Sequence, residues 1–556
     1  MSSSTSKGPK VSLYQDARAY DGLSVNNRLI KRTTIPQVLL SLQEGARDIP
    51  ALTWYGMNGE IQRFTYYDLL LQIKKFAYWF LKCHGITRGD RVIVISSNCP
   101  EVYITQLALM SIGAITVPVN NNESLRVLNE IIKKVNPQKI FEGRDVDEAL
   151  LCGNLTPEKL PMVPLIKEQD FQSYEWPMSE IEADDPAVIL FTSGTTSSPK
   201  GVCLSHYNLL VNAEGLARIH NHSENKVHMC IMPLFHANAF GFSLVGSIYA
   251  GNHVVLCSGL PGMSFWEILK NECVNIVSLA PEIIRVLTRI AIANDVLTNL
   301  KYVVSAAAPL PKTLANDFIA KTGIQIHQGY GLSECVNFAA TVPWDVSEVV
   351  LRKLVNKWQV PSIGPSLFGC KLNVLGKDGM QADDEEEGEI VVTGHTLMLG
   401  YWEDGEATDL ALNGGSLHTG DLGFFAEVEG EKYFFITGRK KEIVIRYGEN
   451  ISPLVIEAEL VQLRDIGVYA VTGFSNESSG EEIGLYILAN YTSENVKKTK
   501  KLIKSCPTRY RPRVVIFGNK NIPATPTGKI KRSLLAERFK DYASKSFGSD
   551  PLFIKE

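Results

Sequence analysis

The sequence predicts an α/β fold, and three observations carry that prediction. Helical and strand patterns alternate from about Pro36 onward; the strand candidates include short, continuous apolar runs of the kind buried in a core; and one of them, residues 187–191 (AVILF), leads directly into a loop of hydroxyls, a glycine and a lysine. Strands separated by helices imply parallel sheets with helices on both faces. Such sheets gather ligands at the carboxyl ends of their strands, where this loop lies.

The elements follow from local pattern. Helices are expected at 35–44, 67–83 and 125–135, and strands at 91–96, 139–141, 187–191, 254–257 and 276–279. Residues 103–119 form the most apolar long window, but Gln106, Ser111 and Gly113 interrupt it and it is short for a membrane span, so it reads as a buried helix followed by a strand. The acidic run 383–387 is expected to be a solvated turn before a strand at 389–392. Lysines 497, 498, 500 and 501 are expected on an exposed helix face.

With 556 residues the chain exceeds a single core and should divide into domains. An apolar content of 45% and a net charge of -4 fit an ordinary soluble globular protein. No basic stripe interleaved with aromatics points to nucleic acid or an anionic membrane. Ten scattered cysteines without a CxxC pair argue for a reducing compartment, against a disulfide framework and against a zinc site. His220, His222 and His228 cluster without cysteine or carboxylate at ligand spacing and are expected to be solvated loop histidines. The opening MSSSTSKGPK lacks an apolar core and reads as a disordered tail, not a signal peptide. The final FIKE is no peroxisomal address. A cytoplasmic protein without a transmembrane segment is expected.

Residues 191–205 read FTSGTTSSPKGVCLS. Thr192, Ser193, Thr195 and Thr196 offer hydroxyl donors, Gly194 lets a ligand approach the backbone closely, and Lys200 adds a positive charge, as a polyphosphate requires. It is not a Walker A loop, which needs GK[ST] opening a helix, because Lys200-Gly201 runs into a second apolar stretch. Taken alone, the stretch reads equally well as a Ser/Thr-rich surface turn.

Further stretches follow in order: PLFH at 233–236, SAAAPL at 305–310, QGYGLSE at 328–334, GEIVVTGHTLMLGYW at 388–402, HTGD at 418–421, GRKKE at 438–442, GENISP at 448–453 and PTGKIKR at 526–532. Together with the hydroxyl-rich loop, this series resembles the signatures of the adenylate-forming superfamily, which includes acyl-CoA synthetases, aryl-CoA ligases, firefly luciferase and peptide-synthetase adenylation domains. The resemblance spans nearly the whole chain. It implies a large N-terminal domain of stacked α/β subdomains (1–438), holding the ATP and acyl sites, and a small mobile α+β domain (439–556) that rotates between two half-reactions about a hinge at Lys441.

The resemblance also implies roles. Lys200 and the hydroxyl loop would hold the ATP phosphates, and Glu334 would be a catalytic Mg²⁺ ligand, a hard oxygen suited to a hard cation. Ser333 stands where many relatives have threonine, with its hydroxyl in reach of the α-phosphate. Ala307, Ala308 and Pro309 would line the adenine site, with Gln328, Gly329 and Tyr330 at the base. Asp421 and Arg439 would contact the ribose, and Lys529 would neutralise charge that develops during adenylation. Catalytic His236, with Asn238, Phe240, Ala306 and Gly331, would wall the acyl pocket, and Gly448 would flank the thiol tunnel, where a missing Cβ lets a thin arm pass. Amino-acid-activating relatives carry an aspartate near His236, and none is present here. Ser197 and Ala306 replace glycines of the usual pattern; serine at φ > 0 would cost roughly 1 kcal/mol, and the methyl of Ala306 would narrow the acyl pocket.

The expected activity is ATP-dependent formation of an acyl-adenylate from a small-molecule carboxylic acid, then transfer to a thiol, with coenzyme A as co-substrate. Alternatives are loading of a carrier protein's phosphopantetheine arm, a luciferase-like oxygenase, and a non-catalytic nucleotide-binding interaction protein, which would be expected to lack Glu334 or Lys529.

Overall fold

The computed structural model describes residues 14–45, 48–144, 157–164, 166, 171, 174–192, 199–223, 226–290, 299–525 and 528–556. The expected N-terminal tail and the loop residues Ser193, Gly194, Thr195, Thr196 and Ser197 lie outside these. Four sheets carry the fold.

The seven-stranded sheet runs Gly400–Tyr401, Lys200–Ser205, Pro186–Thr192, Ile115–Val119, Arg91–Ile95, Lys139–Glu142, Glu158–Lys159. The eight-stranded sheet runs Ala340–Thr341, Gln325–Tyr330, Tyr302–Ser305, Ile276–Leu279, Val227–Cys230, His253–Cys257, Pro50–Tyr55, Ile61–Thr65. Their interiors are parallel, as the helix–strand alternation predicts, because a helix separates successive strands. The expectation of parallel sheets fails at the edges: Pro186–Thr192 turns straight back into Lys200–Ser205, and Gln325–Tyr330 pairs antiparallel with Ala340–Thr341. These are connections too short for a crossover helix. Cys370–Leu375, Gly388–Gly394, Leu417–Val428 and Glu431–Arg439 form a wholly antiparallel third sheet.

Helix Pro100–Ser111 is buried along its whole length, including Thr105, Gln106 and Ser111. Two of its polar side chains are bonded internally, Gln106 Oε1 accepting from Thr116 and Ser111 donating to the carbonyl of Ala108, while Gln106 Nε2 and Thr105 Oγ1 are buried without a partner. Ile115–Val119 follows as the expected strand. Helix Leu125–Val135 is amphipathic instead, burying Leu128, Ile131 and Val135, and Ser124 caps its start by accepting from the amide of Val127.

The fourth sheet lies wholly beyond residue 443 and has its own apolar clusters, one around Ile456, Leu485 and Phe517 and another around Tyr486, Ile516 and Phe539. Among the described residues, no helix is long and apolar enough to cross a membrane.

One expectation is overturned. His220, His222 and His228 are 2%, 8% and 0% exposed, and all three pack against the ring of Phe242 at 5.6, 5.5 and 4.6 Å. The end of helix His206–Ile219 and strand Val227–Cys230 carry them under a π-helix, Ala239–Val245, a rare form that spacing does not reveal.

Candidate active site

Thr192 and Lys200 close the hairpin that bears the hydroxyl loop, opposite one another in register. Strand Gly400–Tyr401 pairs on the other side of Lys200–Ser205, which brings Tyr401 beside the lysine. The Lys200 ammonium lies 4.7 Å from the centre of the Tyr401 ring, a cation–π contact. The same tyrosine donates its hydroxyl to Glu334 Oε1 at 2.7 Å. Burial and then the Glu334 charge push the Tyr401 phenol well above its ordinary range, so it stays a donor. The amide of Met398 donates to the Glu334 carbonyl at 2.8 Å, so two bonds tie the short 3-10 turn Ser333–Cys335 to this strand and the residues leading into it.

Directly after that turn, Val336 takes φ 72° and ψ -66° while the Asn337 amide donates to the Cys335 carbonyl at 2.9 Å. This is the strained hand of the γ-turn, adverse for a β-branched residue by about 1–3 kcal/mol. The reversal returns the chain across its own path. A Cβ at Gly331 would lie 1.6 Å from the Asn337 carbonyl oxygen, and one at Gly329 would lie 2.2 Å from the Phe338 ring, so only glycine allows these crossings.

Tyr330 donates to Asp421 Oδ2 at 2.7 Å, and Arg439 Nε meets Asp421 Oδ1 at 2.8 Å across an antiparallel strand pair. Asp421 is 2% exposed. Burial raises its carboxyl above the ordinary value, opposed by Arg439, Tyr330 and Lys529. Lys529 belongs to this group too: burial, then Arg439, push its ammonium down to about 8, with Glu442 and Asp421 acting the other way. A tight turn presents it, in which the Thr525 amide donates to the Lys529 carbonyl at 2.8 Å and the Lys529 amide donates to Thr525 Oγ1 at 3.1 Å.

Ala307 leaves strand Tyr302–Ser305 with φ 71°, a left-handed alanine costing about 1–2 kcal/mol; it and Pro309 are exposed, with Ala308 half-buried between them. Ala306 is buried in the core. Gln328 is buried with its Oε1 unpartnered, a free acceptor of the kind an adenine amine would meet. His236 Nε2, Asn238 Oδ1 and Asn337 Oδ1 are likewise buried without partners, and Asn337 Nδ2 donates to the Asn238 carbonyl at 3.3 Å. Burial pushes the His236 imidazolium down to about 4. Phe240 is sealed in the core as part of the π-helix.

Lys441 is exposed in the 3-10 turn Lys440–Glu442, between the last strand of the third sheet and the first of the fourth. Gly448 sits in an exposed turn at φ 80° with open space where its Cβ would be, so here the backbone angle, not close passage, demands glycine.

Sequence reasoning quoted Tyr401 and Arg532 within motifs but gave them no role. Arg532 is buried and pairs with Glu442 at 3.1 Å and Glu457 at 2.6 Å, anchoring the segment behind Lys529. The signal for Tyr401 is pairing of its strand with the Lys200 strand, which the 200-residue separation conceals.

Residues 42–402 match the AMP-binding enzyme family, and the chain belongs to it. It is 28% identical over 514 residues to 4-coumarate–CoA ligase 1 of Solanum tuberosum, covering 87% of this chain and 90% of that protein. It is 27% identical over 524 residues to the long-chain-fatty-acid–CoA ligase FadD13 of Mycobacterium tuberculosis, covering 92% and 97%. Its fold matches ATP-bound MatB from Rhodopseudomonas palustris with a TM-score of 0.79 at 23% identity, covering 92% of this chain and 100% of that one.

Proposed function

We propose that this protein is an AMP-forming acid–thiol ligase that activates a small carboxylic acid with ATP and passes the acyl group to coenzyme A. The observation that carries the reading is the convergence of half-buried Lys529 and Arg439 on the buried Asp421, which brings a lysine from the far C-terminal part of the chain to the residues expected to hold ribose. The relatives named as CoA ligases support it.

In the first step a carboxylate oxygen of the acid forms a bond to the α-phosphorus of ATP and the bond to pyrophosphate breaks. Lys529 and Lys200 place fixed positive charge against the charge that builds on the phosphoryl oxygens. Asp421 accepts from the ribose hydroxyls, and Gln328 Oε1 accepts from the base. Among the described residues no group of three or more histidine, cysteine or acidic side chains could enclose a metal. Glu334 alone fits Mg²⁺, which takes one or two carboxylates together with substrate phosphates. Bound there, Mg²⁺ would supply charge neutralisation across the phosphates. In the second step the thiol sulfur attacks the acyl carbonyl and AMP leaves.

The division at 438/439 with a hinge at Lys441 is part of this proposal, supported by the separate sheet beyond residue 443. A reducing cytoplasmic setting is proposed too, in keeping with nine free cysteines among the described residues. Transfer to a carrier protein's phosphopantetheine arm uses the same thiol chemistry and is the second acceptor to test.

The test is ATP–pyrophosphate exchange across a library of acids, followed by acyl transfer with CoA and with a holo carrier protein. Exchange with an acid and AMP release dependent on CoA are expected. Exchange with no acid would overturn the ligase reading, and transfer only to the carrier would replace CoA.

A further inference from the structure

The catalytic lysine reaches its station through a contact outside the nucleotide residues. Gly528, directly before Lys529, has φ 84°, and a Cβ on it would lie 2.9 Å from Glu282 Cγ. The stem of Glu282 therefore packs against the Gly528 backbone. Glu282 stands in the first turn of helix Pro281–Leu287, in the eight-stranded-sheet half of the molecule, whereas Gly528 lies beyond the fourth sheet's strand Val514–Gly518. Gly528 and Lys529 belong to one closed turn, in which the Gly528 amide donates to the Thr525 carbonyl at 2.9 Å and the Thr525 amide donates to the Lys529 carbonyl at 2.8 Å.

A second contact joins the same surfaces. Arg464, in the 3-10 turn Val461–Asp465, donates to the hydroxyl of Thr313 on the adjacent helix Lys312–Thr322. Arg464 has a like-charged neighbour in Arg285, and Asp317 and Glu282 supply the compensating charge. Glu282 meanwhile bonds Arg285 at 3.2 Å. The carboxylate of Glu282 thus pairs with Arg285 on its own helix and also offsets the charge of Arg464 across the contact, two guanidinium groups that repel one another.

We propose that Glu282 is a positioning residue for adenylation: with the Thr313–Arg464 contact it forms a latch that docks the Lys529 turn over the nucleotide and is released when the acyl group moves to the thiol. This rests on the two-step ligase reading. The latch favours one half-reaction by contacts made only in its arrangement, which is the condition for any element to bias a conformational equilibrium.

Glu282 is 58% exposed at its side chain, so substitution there leaves the core intact. The acid giving the strongest exchange is used to measure adenylation and, with pre-made acyl-adenylate, thioester formation. Glu282→Lys, which sets three cations together, should slow adenylation at least about tenfold while thioester formation stays within about twofold. Adding Arg464→Glu, which restores opposite charges and can accept from Thr313, should recover a large part of the lost adenylation. If wild type supports neither half-reaction, the ligase reading fails and the latch falls with it. If wild type supports both and Glu282→Lys slows both alike or neither, the latch alone is overturned.

Discussion

The hydroxyl of Tyr401 and the Oε1 of Glu334, 2.7 Å apart, join two segments of the site that lie far apart in the chain. The face of the same ring carries the Lys200 ammonium. One aromatic side chain thus holds the expected metal ligand by its edge and the expected phosphate lysine by its face. Opposite charges are kept in the same site without collapsing onto one another as an ion pair.

Tyr401→Phe removes only the hydroxyl and leaves the ring under Lys200. Glu334 then loses the bond that orients it, so the Mg²⁺ concentration for half-maximal pyrophosphate exchange should rise about tenfold or more, in keeping with about 1.5–3 kcal/mol for a hydrogen bond to a charged group. Thermal melts should change little. An unchanged Mg²⁺ requirement would show that Glu334 is oriented by its backbone bond to Met398 alone.

Lys529 predicts a pH dependence. Burial and Arg439 bring its ammonium down to about 8, so its charge is present at neutral pH and lost as pH rises through that value. Adenylation should therefore fall on the alkaline side, while Lys529→Arg, charged throughout, should show no such limb. Lys529→Ala should lower adenylation by roughly 10²-fold, the loss of one preorganised donor. Thioester formation from pre-made acyl-adenylate should survive. An alkaline limb that persists in Lys529→Arg would assign it to another group.

The strands and helices were legible because their apolar runs have the period of buried elements: 35–44, 125–135 and 276–279 match the observed bounds, since packing and propensity agree there. Antiparallel edges were not legible, because a tight return and a crossover begin from the same apolar run. The π-helix at 239–245 was hidden for another reason. Its segment reads as an ordinary apolar stretch, and only burial of Phe240 and Phe242 together with the close crossing of Gly241 on Asn337 accounts for it. Within the site, resemblance named Asp421, Arg439 and Lys529, which converge. It could not name Glu282, whose contact with Gly528 depends on how separately folded parts meet.

The buried histidines predict acid lability. Burial holds His222 at about 3, His206 and His327 at about 4, and His220 and His228 well below 6.5. The folded chain thus refuses protons that the unfolded chain accepts near 6.5. Stability should be full above that pH and fall as pH drops from about 6.5 toward about 4, at up to about 1.4 kcal/mol per pH unit for each histidine. Denaturant midpoints measured at about pH 7 and about pH 5 should differ, and His222→Leu should flatten the slope. Equal midpoints at the two pH values would mean that the cluster takes up protons without unfolding.

The acid should lack a free α-amino group. In the segment expected to wall the acyl pocket, His236 is held neutral by burial, and the free acceptors of Asn238 and nearby Asn337 are amide oxygens. Neutral acceptors can bond to an ammonium group but cannot balance its charge once water is excluded, and an unpaired buried charge binds poorly. No carboxylate occurs in residues 236–242 to pair with it. Fatty or aryl acids should therefore exceed every standard amino acid in pyrophosphate exchange, and His236→Asp should narrow that preference by supplying a counter-charge. Saturable exchange with a standard α-amino acid, together with none from simple acids, would mean that an anion from another segment completes the pocket.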